Sequence, residues 1–253
     1  MSASVHKGYP GAMDEERGQR AGSAIQRNGN RILAGLSSGD RARLEPHLER
    51  IRTEPRDPLW EPGEPIRTAY FPETSVNSIL AVDHQGGEVE VGTVGYEGVV
   101  GLPLFLGATA APGRAFTQIG GEGHRMDAGA FMRLAEELPS LRDLLRRYTQ
   151  AFVTQVSQSV ACNRLHSPAQ RLARWMLSCA DRVGSDRFPM TQEFMGQMLG
   201  VRRATVGEAA QELQERGLIR YSRGIIEILD RDAMAVAACP CYRIVRDEFE
   251  RLL

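Results

Sequence analysis

The chain has 253 residues, 42% hydrophobic and 25% charged, with a formal net charge of −1, the balance of a globular protein with room for two modest domains. Lys7 is the only lysine among 31 basic residues, which excludes a Walker A loop and its Gly-Lys-Ser/Thr. No apolar run approaches the roughly 18–20 residues of a membrane span, no secretory signal is present, and four cysteines do not make a disulfide framework.

These features predict a cytoplasmic, reduced protein. In chain order, residues 1–30 are rich in Gly, Ser, Ala and charge without periodicity, which predicts a disordered tail. Ile32, Leu33, Leu36, Leu44, Leu48 and Ile51 then form the apolar stripe of a short helical region. Within it, Gly35-Leu36-Ser37-Ser38-Gly39 matches the G-x-S-x-G elbow of serine hydrolases. That elbow must follow a strand; here it follows helical sequence and reads as a helix end plus the N-cap of the next helix.

From residue 58 to about residue 127 the texture changes to short strands between Gly, Pro and Asp turns. Segments 66–71, 75–82, 88–94, 115–119 and 123–127 are the clearest, and His84-Gln85-Gly86-Gly87 makes a hairpin turn. This spacing predicts an antiparallel β-barrel or jelly roll. A metal-dependent enzyme of jelly-roll type needs a His-x-His pair with further ligands, whereas this segment offers only His84 and His124. Neither H-E-x-x-H nor a dinucleotide-binding glycine fingerprint occurs. No catalytic set and no cofactor is expected.

Residues 128–137 read as a helix, and 138–162 as a longer one. Leu141, Leu145, Tyr148, Phe152, Gln155, Ser159 and Cys162 repeat at four-three spacing, the pattern of a coiled-coil seam or of a helix packed on its own barrel. The seam is apolar in its first half and polar at Gln155 and Ser159. Ser167-Pro168 then caps another helix, with proline in its first turn.

The most informative stretch is TQEFMGQMLGVRRATVGEAAQELQER, residues 191–216. Thr191 is a good N-cap, and Phe194, Met195, Met198 and Leu199 recur at helical spacing. Gly200 stops the helix, since only glycine enters the left-handed turn without steric penalty. Val201 plugs the corner, and a second helix from about Arg202 to Arg216 buries Val206, Ala209, Ala210 and Leu213. Gly196 in mid-helix costs about 1 kcal/mol against alanine, which fits a second helix crossing closely. Together these make a helix-turn-helix. Leu218 to Tyr221, then Ser222-Arg223-Gly224, then Ile225 to Leu229 form a short hairpin, the wing beside it.

The remaining tail, 231–253, is helical and broken at Cys239-Pro240-Cys241. Two thiols so close suit a metal or a redox bridge. Only Cys162 and Cys179 remain as cysteine partners, and no spacing implies them, so two partly buried free thiols are expected. A thiol- or metal-sensing role is the alternative.

These residues resemble the Crp/Fnr family of bacterial transcription regulators over about residues 31–230. The likeness is strongest in the helix-turn-helix and wing, and the Pro62-Gly63-Glu64-Pro65 turn with Tyr70-Phe71-Pro72 is similar to the opening strands of cyclic-nucleotide-binding barrels. The resemblance implies an α+β fold: a tail 1–30, a β-barrel sensor domain 31–137, a dimerisation helix 138–165, a winged helix-turn-helix 166–230 and a helical tail 231–253. Its implied partners are double-stranded DNA, a second copy of the chain and RNA polymerase. The seam residues Leu141, Leu145, Tyr148 and Phe152 become the implied dimer contact.

Arg203 falls where the family commonly contacts guanine, and Thr205 at a phosphate-contacting position. Gln192, Arg202, Glu208 and Arg223 complete the implied DNA-binding set. Ala204 and Glu208 stand where family members often carry Glu and Arg, so the best-known member's half-site is not carried over. In cyclic-nucleotide-binding relatives a Gly-Glu takes the ribose and an Arg-Ser/Thr-Ala the phosphate. Here Val100-Gly101 and Arg114-Ala115 fall at those places. The ribose carboxylate is missing, which argues against cAMP as the effector.

Overall fold

A computed structural model describes residues 29–253. The predicted tail 1–30 lies outside the described residues except at its end, where Asn30 is built into the core. Its side chain accepts from the N–H groups of Ile32 and Leu33 and donates to the carbonyls of Pro72 and Gly98. It caps α1 (Arg31–Ala34), and Ser37 caps α2 (Ser38–Leu44) by accepting from Asp40 N–H. Gly35 to Gly39 is therefore a helix end and a cap, not a nucleophile elbow.

The sensor half is a pair of antiparallel sheets. One has the order β1-β7-β3, formed by β1 (Glu49–Thr53), β7 (Gly121–Asp127) and β3 (Thr68–Pro72). The other, β2-β6-β4-β5, is formed by β2 (Pro58–Trp60), β6 (Arg114–Ile119), β4 (Val76–Val82) and β5 (Glu88–Val94). Among the described residues the sheets do not close into the expected barrel. The chain changes sheet at Gly120-Gly121, where a Cβ on Gly120 would stand 2.8 Å from the Thr53 carbonyl oxygen and one on Gly121 2.5 Å from Ser75 N. Backbones that close make a corner between sheets rather than a continuous wall.

After α3 (Leu102–Phe105) and α4 (Ala128–Glu137) comes the long helix α5 (Pro139–Leu165). Leu141, Leu145 and Tyr148, expected at a dimer contact, are fully buried in the sensor core with Phe71 and Phe131. Tyr148 donates its hydroxyl to the Val99 carbonyl. Phe152 lies over Gly92, where a Cβ would come within 2.7 Å of the ring. The polar half turns the same way: Gln155 donates to the Thr93 carbonyl and Ser159 to that of Gln155. The correction has a simple cause. Heptad spacing shows which side of a helix is apolar, not which surface covers it.

The second half comprises α6 (Pro168–Val183), β8 (Arg187–Pro189), α7 (Gln192–Leu199), α8 (Arg203–Glu215), β9 (Ile219–Ser222) and β10 (Ile225–Ile228). Ser167 and Gln170 form a capping box at the start of α6. The core of this half reaches the sensor sheet, where Val76, Leu80, Phe116 and Ile119 pack with Trp175, Met198 and Leu199. Polar groups also cross the junction. Trp175 Nε1 donates to Glu90, 2.9 Å away, and Arg182 pairs with Glu97 at 2.8 Å with both side chains buried. The tail, α9 (Arg231–Ala237) and α10 (Cys241–Leu252), then turns back over both halves, α9 against α6 and α10 along α5.

Candidate nucleic-acid interface

The helix-turn-helix is built by local chemistry. Thr191 Oγ1 accepts from Phe194 N–H, and Gly200 closes α7 at φ 63°, in the left-handed region. A Cβ on Gly196 would stand 3.0 Å from the Val201 carbonyl oxygen and 3.5 Å from Arg203 N, so this glycine lets the turn and the start of α8 cross α7 closely. Val206, Ala209, Ala210 and Leu213 bury the inner face of α8. The outer face then points to solvent by default.

On that outer face, Arg202, Arg203 and Glu208 are exposed and Thr205 is half-buried. Among the described residues neither Arg202 nor Arg203 forms a salt bridge, whereas Arg220 is taken by Glu227 at 2.6 Å and Arg216 by Glu212 at 3.6 Å. Arg202 is the N-cap of α8, with no side-chain hydrogen bond to the helix, so the first N–H groups of α8 are not capped by a side chain. Half-buried Gln192 lies beside Gly207 on the facing helix. Arg223 occupies the tip of the wing. With φ 51° there and 74° at Gly224, and Ser222 paired with Ile225, the hairpin turn is of the two-residue, positive-φ kind that matches strand twist.

Two participants escaped the sequence. Strand β8 pairs with β10 and makes the wing sheet three-stranded, in the order β8-β10-β9. Tyr221 on β9 sits beside Arg203 and the backbone of Gln192, and burial pushes its phenol above the ordinary value. An aromatic on the first wing strand, facing the recognition helix, was the available signal.

The sensor half holds a cavity of about 500 Å³ between the four-stranded sheet, α3 and α5. Its lining includes Trp60, Val94, Val100, Leu102, Phe152 and Val153 and, among the described residues, contains no charged side chain. Val100 and Gly101 line this cavity. Val100 exchanges backbone hydrogen bonds with Tyr70, and Gly101 precedes α3 at φ 141°. Arg114 does not reach it as a phosphate ligand. Its guanidinium is held by Glu61 and Glu88, each 2.7 Å away, and Ala115 is buried in the sheet. An arginine already neutralised by two carboxylates offers little to an anion.

Residues 170–236 match the family model of the Crp-like helix-turn-helix domain. The chain thus carries the DNA-binding domain of a class of transcription regulators. Its overall fold is that of Crp/Fnr regulators. FixK2 from Bradyrhizobium japonicum aligns with a TM-score of 0.64 and 14% identity, over 76% of this chain and 98% of that one. The c-di-GMP responsive global regulator CLP from Xanthomonas campestris aligns at 0.62 and 16%, over 77% and 100%. A CRP-family regulator from Thermus thermophilus aligns at 0.55 and 21%, over 74% and 96%. No curated protein sequence matches the chain. No described helix is long and apolar enough to cross a membrane.

Proposed function

We propose that this chain is a sequence-specific transcription regulator that binds a palindromic operator as a homodimer and is not switched by cAMP. The observation that carries the reading is the leading turn of α8, where Arg202 and Arg203 stand exposed with no salt-bridge partner among the described residues. At about 1.5 Å per residue, α8 is about 20 Å long and crosses a major groove. Arg203 reads guanine through N7 and O6, with Arg202 and Glu208 as secondary readers. Gln192, Thr205 and Arg223 hold phosphates and set the register. The division into sensor 31–137, linking helix 138–165 and DNA-binding unit 166–230 belongs to the same reading.

The dimer contact moves to the outward face of α5. Val153 and Val160 are exposed there, and Thr149, Val153, Val156 and Val160 follow four-three spacing. Val153 and Val156 also line the cavity, so a partner helix on this face would help to close it. Lining without charge favours an uncharged apolar effector, since a buried phosphate without a paired cation is costly.

Selection of bound duplexes from a random pool by the full chain, with and without a panel of cyclic mono- and dinucleotides, tests the reading. The expected result is a palindrome with half-sites about 34 Å apart, enriched without nucleotide. Enrichment only with cAMP would overturn the effector assignment, and no enrichment under any condition would overturn the DNA-binding one.

A further inference from the structure

Counting cysteines leaves Cys239 and Cys241 short of a ligand set, but the fold supplies two further donors from far away in the chain. Cys162 lies in the last turn of α5, and His166, four residues on, is the C-cap of that helix, its N–H bonded to the Cys162 carbonyl. The i, i+4 spacing turns both side chains to one side. Cys239 and Cys241 flank Pro240, the N-cap of α10, and Tyr242 N–H to the Cys239 carbonyl closes the corner after α9.

The four donor atoms meet. Cys162 Sγ is 3.4 Å from Cys239 Sγ, and Cys241 Sγ is 3.7 Å from His166 Nδ1. All four lie within 4.8 Å of one another. Zinc at its usual bond lengths, about 2.3 Å to sulfur and 2.0–2.1 Å to nitrogen, spaces tetrahedral ligand atoms about 3.5–3.8 Å apart. The three cysteines are at most 3% exposed and form a small cluster separate from both main cores. Burying three thiols together with an imidazole contributes little as apolar packing, but it is the donor set of a closed structural site.

The surroundings agree in charge. Three thiolates and a neutral histidine leave a zinc complex one negative charge, and two guanidiniums are at hand. Arg174 and buried Arg171, both on α6, lie beside the Cys162 sulfur. The Arg171 Nε–H is buried without a hydrogen-bond acceptor among the described residues.

We infer that Cys162, His166, Cys239 and Cys241 bind one zinc ion in a closed Cys3His site that fastens the α9–α10 corner to the junction between α5 and α6. The site stands independently of the DNA-binding reading. His166 joins the long helix to the unit carrying the reading head, so the ion fixes the angle between them. Binding releases the thiol protons, and affinity therefore falls as pH falls.

The test is the metal content of the full chain, purified under reducing conditions from zinc-supplied cells. The expected content is about one zinc per chain, and cobalt replacement gives sulfur-to-cobalt charge-transfer absorption and the visible bands of a tetrahedral ion. His166→Ala and Cys241→Ser each lose the metal, whereas Cys179→Ser, whose thiol bonds with Gln118 outside the cluster, retains it. The wild-type stoichiometry and cobalt spectrum decide the matter even where a variant folds poorly. A metal-free protein whose four thiols are all free on unfolding overturns the proposal. So does a Cys162–Cys239 disulfide found by mass spectrometry, or zinc retained by both ligand variants.

Discussion

Among the described residues, no charged side chain lines the cavity under α5, whereas the leading turn of α8 carries two arginines without a salt-bridge partner. The same chain therefore meets its two environments with opposite chemistry. Inside the sensor half, free energy comes from apolar area removed from water, and each side chain is also a structural element. On α8 the exposed side chains contribute almost nothing to folding, because the inner face alone buries the helix. Substitutions inside should change stability, and substitutions on α8 should change binding.

The strongest way to break this separation is at the junction. Glu97→Gln leaves the buried Arg182 guanidinium without its carboxylate and should cost about 3–5 kcal/mol in unfolding free energy by urea titration. Because this pair joins the two halves, the variant should weaken DNA binding as well as stability. Next, Leu145→Ala opens a cavity in the sensor core and should cost about 2–5 kcal/mol. The folded fraction should keep the wild-type operator preference, and a changed preference would show that the halves are more tightly coupled than the separation allows.

Arg203→Ala is the converse. It should weaken operator binding by about 1–3 kcal/mol and relax one base position in the selected site, while stability stays within about 0.5 kcal/mol. Equal loss on unrelated sequences would make Arg203 a phosphate contact instead.

The smallest effect concerns pH. Burial raises the carboxyl of Glu90 above its ordinary 4.5, against the opposing hydrogen bonds of Ser78, Trp175 and Thr93. The unfolded chain then gives up this proton at lower pH than the folded one. The contribution of Glu90 is therefore fully present below 4.5 and is lost as pH rises through the folded value. Glu90→Gln should flatten this part of the stability-versus-pH curve, read from urea midpoints at several pH values.

How legible each region was follows the range of the interactions that build it. Thr191, Gly196 and Gly200 act within a few residues of themselves, so the helix-turn-helix could be read directly, as could the Arg223-Gly224 turn. Strand β8 was too short to show periodicity. Strand β1 was hidden because Leu48 and Ile51 continue a helical spacing by accident. On α5 the stripe was found but its covering surface was not, because the residues that cover Tyr148, among them Val99 and Phe249, lie far away in sequence. Arg114 failed for the same reason, its neutralising partners being Glu61 and Glu88. His166 passed unnoticed because only the fold brings it to Cys241.

The return of α10 along α5 has a consequence for synthesis. Phe249 is buried in the sensor core, its ring 6.2 Å from that of Tyr148. A nascent chain can form its sheets and helix-turn-helix while this face of α5 is still bare. The first half to leave the ribosome is thus among the last to be completed, and until α10 emerges it presents an apolar surface to chaperones and to neighbouring nascent chains.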